Sequence, residues 1–146
     1  MDEPTFRAPV DEDVTLAGQW LSEAGLPIED LTIERLALVA EQNGKVAGVI
    51  GLERFAGLGL LRSLVVSAQH RRSGVGKALV EALERLAVES DMAELWLLTI
   101  DADAWFARLG YNAQARDLAP VEIRQTEEFS NLCPGDAVLM RKRLTA

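Results

Sequence analysis

Leu64-Val65-Val66-Ser67-Ala68-Gln69-His70-Arg71-Arg72-Ser73-Gly74-Val75-Gly76-Lys77-Ala78 joins an apolar run to the most regular amphipathic stretch of the chain. Downstream, Val75, Leu79, Leu83 and Leu86 recur at helical spacing while Lys77, Glu81, Glu84, Arg85 and Glu89 fall largely elsewhere, which predicts a helix over 74–90. Upstream, residues 60–66 read as a buried strand. Gly74 and Gly76 leave backbone N–H groups uncovered where the helix begins. The first amides of a helix lack an intrahelical acceptor and carry the positive end of its dipole, so they can cradle a phosphate. Arg71, Arg72 and Lys77 add local positive charge. The stretch therefore points to a phosphate or pyrophosphate ligand. Two commoner phosphate motifs fail on it. A P-loop would need glycine at position 71 and Ser or Thr at 78, and a dinucleotide fingerprint starting at Gly74 would need Gly or Ala where Leu79 stands.

Before this segment, residues 5–8 read as a short extended piece and 11–24 as a helix with an acidic start and Val14, Leu16, Ala17, Trp20 and Leu21 near helical spacing. Gly25-Leu26-Pro27 ends it, with room for one more turn over 28–31. Strands over 36–42 and 46–55 flank Asn43-Gly44, the signature of a two-residue type I′ hairpin. Ala56-Gly57-Leu58-Gly59 turns the chain into the strand at 60–66. Gly48 and Gly51 mark a bulge or a close backbone approach in the middle strand. After the helix come a buried strand at 94–99, a short helix at 103–109 capped by an Asp with Gly110 as its C′ residue, a strand at 111–116, a helical insert at 120–129 and a last strand at 138–143. This order predicts an α/β (α+β) fold in one domain over 1–146, with a mixed, mostly antiparallel sheet of six to seven strands and flanking helices.

The 146 residues suit one compact core, and 49% of them are hydrophobic. No apolar stretch approaches the roughly 20 residues of a membrane span, and the acidic start is unlike a signal peptide, so a soluble, unprocessed, cytoplasmic protein is expected. One cysteine, Cys133, leaves no internal disulfide, and one histidine, His70, leaves a His/Cys metal site short of ligands. A net charge of −8 repels phosphate backbones, which argues against nucleic acid as the main partner.

The loop resembles the Arg/Gln-x-x-Gly-x-Gly/Ala acetyl-CoA motif of the GNAT superfamily of N-acetyltransferases, matched as Arg71, Gly74 and Gly76. The strand before it, the helix after it, the buried strand at 95–99 and Trp105-Phe106-Ala107-Arg108-Leu109-Gly110-Tyr111 stand where that family carries corresponding elements, so the likeness covers most of the chain from Leu36 onward. It implies a splay between the strands around Leu64 and Leu97. It also implies that Leu64, Val65 and Val66 hold pantetheine, that the amides of Arg72, Ser73, Gly74, Val75, Gly76 and Lys77 bind pyrophosphate, and that Thr99 and Phe106 are further cofactor contacts. Val66 would then polarise the thioester carbonyl, the expected main source of rate enhancement. The text Leu98-Thr99, Trp105-Phe106, Leu109-Gly110-Tyr111, Pro120, Ile123-Arg124, Phe129, Leu132-Cys133-Pro134 is similar to the N-acetyltransferases associated with bacterial arsenic-resistance operons and, more distantly, to the acetyltransferase domain of N-acetylglutamate synthases. Such relatives acetylate the α-amino group of small, acidic amino acids or their analogues.

The likeness implies acetyl-CoA as co-substrate and a small-molecule amine as acceptor, by a transfer that needs no metal; charge and hydropathy argue against nucleic acid and membrane as partners, and a monomer or homodimer is expected. Arg62 and Arg124 are candidates to clamp an acceptor carboxylate, set against a reading as ordinary ion-paired arginines. Glu53, in the apolar run 49–55, is the candidate base, where burial would raise its pKa; the alternative is an outward Glu paired with Arg54 or Arg62. Phe106 stands where many relatives place a tyrosine as general acid. Tyr111 reads as core and His70 as a turn residue or phosphate neighbour. A catalytically weak CoA-binding or sensor module is the competing expectation.

Overall fold

The structure is a computed structural model and describes residues 3–26, 28–71, 73–127, 129–130 and 137–144. Pro27, Arg72 and Leu132-Cys133-Pro134 lie outside the described residues. The elements are β1 (Thr5–Arg7), α1 (Asp11–Glu23), β2 (Leu36–Gln42), β3 (Lys45–Phe55), β4 (Leu58–Val66), α2 (Val75–Glu89), β5 (Glu94–Thr99), α3 (Asp103–Arg108), β6 (Asn112–Gln114), α4 (Val121–Arg124) and β7 (Val138–Arg143). Among the described residues the strands form one open, seven-stranded sheet, within the expected six to seven, in the order β1-β2-β3-β4-β5-β7-β6. Pairing is antiparallel for β1–β2, β2–β3, β5–β7 and β6–β7 and parallel for β4–β5.

The β2–β3 hairpin turns on Asn43 at φ +56° and Gly44 at φ +78°, the two positive-φ positions its turn requires. Register shifts between Leu36 and Leu38 and between Ala40 and Glu41 place irregularities opposite Gly51 and beside Gly48. Several boundaries differ from the sequence reading. β4 starts at Leu58 because the preceding turn needs only Ala56-Gly57. β6 ends at Gln114 because Arg116–Leu118 closes a 3₁₀ turn, and the helical insert begins as α4, breaks at Gln125-Thr126, and is helical again at Glu127 and at Phe129-Ser130 among the described residues. No aspartate side chain caps α3. Its N-cap is Ala102, whose N–H donates to Thr99 Oγ1 at 3.0 Å. Three-residue 3₁₀ turns at Ile33–Arg35 and Ala68–His70 were absent from the sequence reading.

Two compact units make up the chain, one of Met1–Leu52 with Arg62–Leu86 and one of Glu53–Leu61 with Ala87–Ala146. In the first, α1 buries Ala17 and Leu21 against Leu36, Val39, Val49 and Val65, with Val14, Trp20, Leu26, Leu31 and Val46 at the margin. Each fully covered Leu or Val there contributes about 1.5–3 kcal/mol relative to exposure. Asp13 ties the start of α1 down: it accepts Val10 N–H at 2.7 Å and both guanidinium nitrogens of Arg7, at 2.7 and 3.1 Å. In the second unit, Leu60, Trp96, Ala119, Ile123 and Leu139 form the core, joined by Phe55, Leu58, Leu98 and Phe129.

Candidate active site

The structure builds the 64–78 segment from two departures from regular geometry. Inside β4, Ser63 takes φ +57°, a left-handed conformation that a non-glycine residue rarely adopts in a strand and that bends the chain. The parallel ladder of β4 on β5 runs Leu58↔Glu94, Gly59↔Leu95 and Leu60↔Trp96 among the described residues. Both strands continue beyond it, β4 to Val66 and β5 to Thr99.

Val65 is buried, while Leu64 and Val66 are half-buried. Gly48 lets β3 lie close against them: a Cβ added there would stand 2.9 Å from the Val65 carbonyl oxygen, 3.0 Å from Leu79 Cδ1 and 3.4 Å from Val66 Cα. The close approach read from the sequence is therefore real, and its partner is the segment's own backbone. Ser67 N–H then donates to the Ala47 carbonyl at 2.8 Å.

The loop that follows is held by its own side chains. Ser67 Oγ lies 2.7 Å from His70 Nδ1, and the Ser73 hydroxyl donates to the His70 carbonyl oxygen. His70 is thus a turn residue. Arg71 is exposed, its Nε 3.4 Å from the Val66 carbonyl that accepts it. Gly74 takes φ +87°, and among the described residues, its chain neighbours aside, no heavy atom lies within 4 Å of the position of its absent Cβ. The α2 ladder begins with Ala78 N–H donating to the Gly74 carbonyl at 3.0 Å, so the amides of Val75, Gly76 and Lys77 precede it at the positive end of a 15-residue helix. Val75 is buried as the first core anchor of α2, and Lys77 is exposed. A positive-φ glycine turn followed by amides without intrahelical acceptors, with the cationic Lys77 among them, fits a pyrophosphate.

Arg62 is buried, and its guanidinium forks onto the Asp30 carboxylate at 2.6 and 2.5 Å. In the second unit, Glu53 is half-buried and Arg54 exposed. Arg124 is exposed at the end of α4, its carbonyl accepting the Ser130 hydroxyl at 2.6 Å. Thr99 is half-buried and its hydroxyl holds the start of α3. Phe106 is buried edge-on between Trp105 (centroids 4.9 Å apart) and Tyr111 (5.6 Å). Tyr111 is 1% exposed, a core residue as read. Sequence reasoning missed Ser63 and Asp30. A left-handed serine inside an apolar strand leaves no compositional trace, and Asp30 is 32 residues from its partner.

An open mixed sheet with one short parallel ladder, and a glycine turn that opens a long helix, are features carried by the acetyltransferase class of fold. The family model described as acetyltransferase (GNAT) domain matches residues 34–113, and the chain belongs to that family. A similar sequence is an uncharacterized N-acetyltransferase of Chlorobaculum tepidum, 31% identical over 86 residues, which are 58% of this chain and 55% of that one. Among solved structures, N-acetylglutamate synthase from Neisseria gonorrhoeae, complexed with coenzyme A and N-acetyl-glutamate, superposes with a TM-score of 0.84 at 20% identity. That likeness covers 100% of this chain and 36% of the synthase. Rv2747 from Mycobacterium tuberculosis, in complex with CoA and NLQ, superposes with a TM-score of 0.80 at 22% identity, over 96% of this chain and 99% of that one. The chain thus spans about half the length of its Chlorobaculum relative and about a third of the synthase.

Proposed function

We propose that the protein transfers an acetyl group from acetyl-CoA to the primary amine of a small acceptor. The observation that carries this reading is the continuous run from the Ser63 bend through Val66 to the Gly74 turn at the head of α2, inside the stretch matched by the family. The amides of Ser73 to Lys77 take the pyrophosphate, with Arg71, Arg72 and Lys77 supplying charge. Leu64, Val65 and Val66 take the pantetheine arm, and Thr99 and Phe106 are further contacts. The Val66 amide donates to the thioester oxygen as negative charge develops on it. The neutral amine attacks the carbonyl carbon, the C–N bond forms, the C–S bond breaks and CoA leaves as thiolate. Glu53 accepts the amine's proton, directly or through water. Phe106 offers no proton, so the thiolate leaves unassisted or takes one from water.

A small acidic amino acid or analogue is the proposed acceptor. Support comes from the likeness of 98–134 to the arsenic-resistance-operon N-acetyltransferases and from the acetylated amino acid bound in the Neisseria neighbour. Arg124, exposed on α4, is the proposed carboxylate contact. A cytoplasmic site of action belongs to the same proposal.

Release of CoA thiol, followed against a panel of acidic and neutral amino acids, phosphinic analogues, polyamines and peptides, tests it. Faster release with anionic acceptors, and a KM rise confined to them in Arg124→Ala, is the expected result. Acetyl-CoA binding without amine-dependent release would instead mark a sensor module.

A further inference from the structure

Strand β4 carries a charged side chain in its interior. The Arg62 side chain has 0% exposure and that of Asp30 has 9%. Nη1 donates to Asp30 Oδ2 and Nη2 to Oδ1, the bidentate fork described above, and Nε donates to Ser63 Oγ at 3.2 Å. Asp30 is gripped a second time, through its carbonyl, which accepts Arg35 Nη1 at 2.7 Å. Arg35 in turn lies on β3 at Gly51, where an added Cβ would stand 2.5 Å from the Arg35 carbonyl oxygen and 3.1 Å from that of Arg62. The segment after α1 is therefore pinned to β3 and β4 at one place.

Net stability is a weak reason for such a pair, because desolvation offsets most of the attraction between buried charges. Fixed geometry is what a fork supplies. The residue beside it, Ser63, holds a backbone conformation that is unfavourable outside glycine and persists only where its surroundings over-determine it. The next three residues are Leu64, Val65 and Val66. We infer that Asp30 and Arg62 are positioning residues: their ion pair holds the Ser63 bend and thereby aims the amides of Leu64, Val65 and Val66, and Arg62 acts through the backbone rather than on an acceptor carboxylate. The catalytic meaning of this inference rests on the proposed acetyl transfer; its structural content does not.

Asp30→Asn and Arg62→Lys each weaken the fork while keeping most of the volume. Two readouts apply to both: amide hydrogen exchange in ligand-free protein at residues 62–66, referenced to Leu79 and Leu83 in α2, and kcat and KM for acetyl-CoA. The expected result for Asp30→Asn is exchange at 62–66 about tenfold faster with α2 unchanged. A kcat loss of about tenfold or more, with KM changed less than about threefold, should accompany it. Arg62→Lys, which keeps the charge, should retain more kcat than Arg62→Met. If single variants fail to fold, the neutral pair Asp30→Asn/Arg62→Met is measured in the same way, since it leaves no unpaired buried charge. Unchanged exchange at 62–66, or a rise shared equally by α2, overturns the inference. A wild-type protein that releases no thiol with any amine refutes the proposed reaction, while the exchange data still decide the positioning role.

Discussion

Single residues set how closely β3 and β4 meet, and Gly48 is the sharpest case. Gly48→Ala must push a methyl to within 2.9 Å of the Val65 carbonyl oxygen, so it should lower stability by about 1–3 kcal/mol. Weaker acetyl-CoA binding should accompany that loss, and thermal unfolding with calorimetric titration checks both. The sequence showed this position as a glycine in a strand but not what approached it, because the partner backbone is 17 residues away, too far for any local pattern. Acid sensitivity is also a residue property here. Burial alone would raise Asp30, but hydrogen bonds and charge from Arg62, with the charge of Arg35, outweigh it and hold its pKa below the ordinary value. Asp13 is lowered as well, chiefly by its hydrogen bonds from Arg7, whose own pKa is raised. A depressed folded-state pKa means the unfolded chain binds more protons once pH drops toward about 4. Unfolding free energy should therefore stay level in this respect above about pH 5 and fall as pH decreases through 4 toward 3, with a shallower slope in Asp13→Asn. Equal slopes in the two proteins would contradict this.

At the scale of elements, regular spacing made most of the fold legible. α1 and α2 fall where hydrophobic periodicity puts them, each burying one face, while β2, β3, β5 and β7 fall where apolar runs put them, β3 and β5 being buried over consecutive residues and so on both faces. The 3₁₀ turns at Ile33–Arg35, Ala68–His70 and Arg116–Leu118 were not legible, since three residues are shorter than one helical period. An aspartate beside the start of α3 looks like its cap, but the N-cap is Ala102, and the Thr99 hydroxyl of the preceding strand accepts that residue's own N–H. The glycine turn was readable and is testable. Gly74→Ala should lose roughly 1–2 kcal/mol to its positive φ. CoA affinity should fall more than that of a pantetheine fragment lacking the pyrophosphate. Equal losses for the two ligands would detach the turn from phosphate binding. Leu21→Ala, at 0% exposure on α1, should cost about 2–5 kcal/mol in chemical denaturation.

The whole molecule carries a net charge of −8, and the proposed co-substrate is itself a polyanion. Long-range repulsion should slow their encounter, and salt screens it over a Debye length of about 10 Å at 0.1 M. The association rate of acetyl-CoA should therefore rise with ionic strength in stopped-flow mixing, opposite to a positively steered ligand. This distribution, anionic overall and cationic at one loop, was fully legible in the sequence, as was the cofactor class. The acceptor side was not, because Glu53, Arg62 and Arg124 are single charged residues whose surroundings come from distant parts of the chain. The central claim is that 64–78 is the seat of acetyl-CoA, and backbone amide NMR during an acetyl-CoA titration tests it most directly. The account predicts saturable shifts centred on Val65, Val66 and residues 73–77. Saturable binding that leaves those amides unmoved, or no binding at millimolar acetyl-CoA, would contradict it.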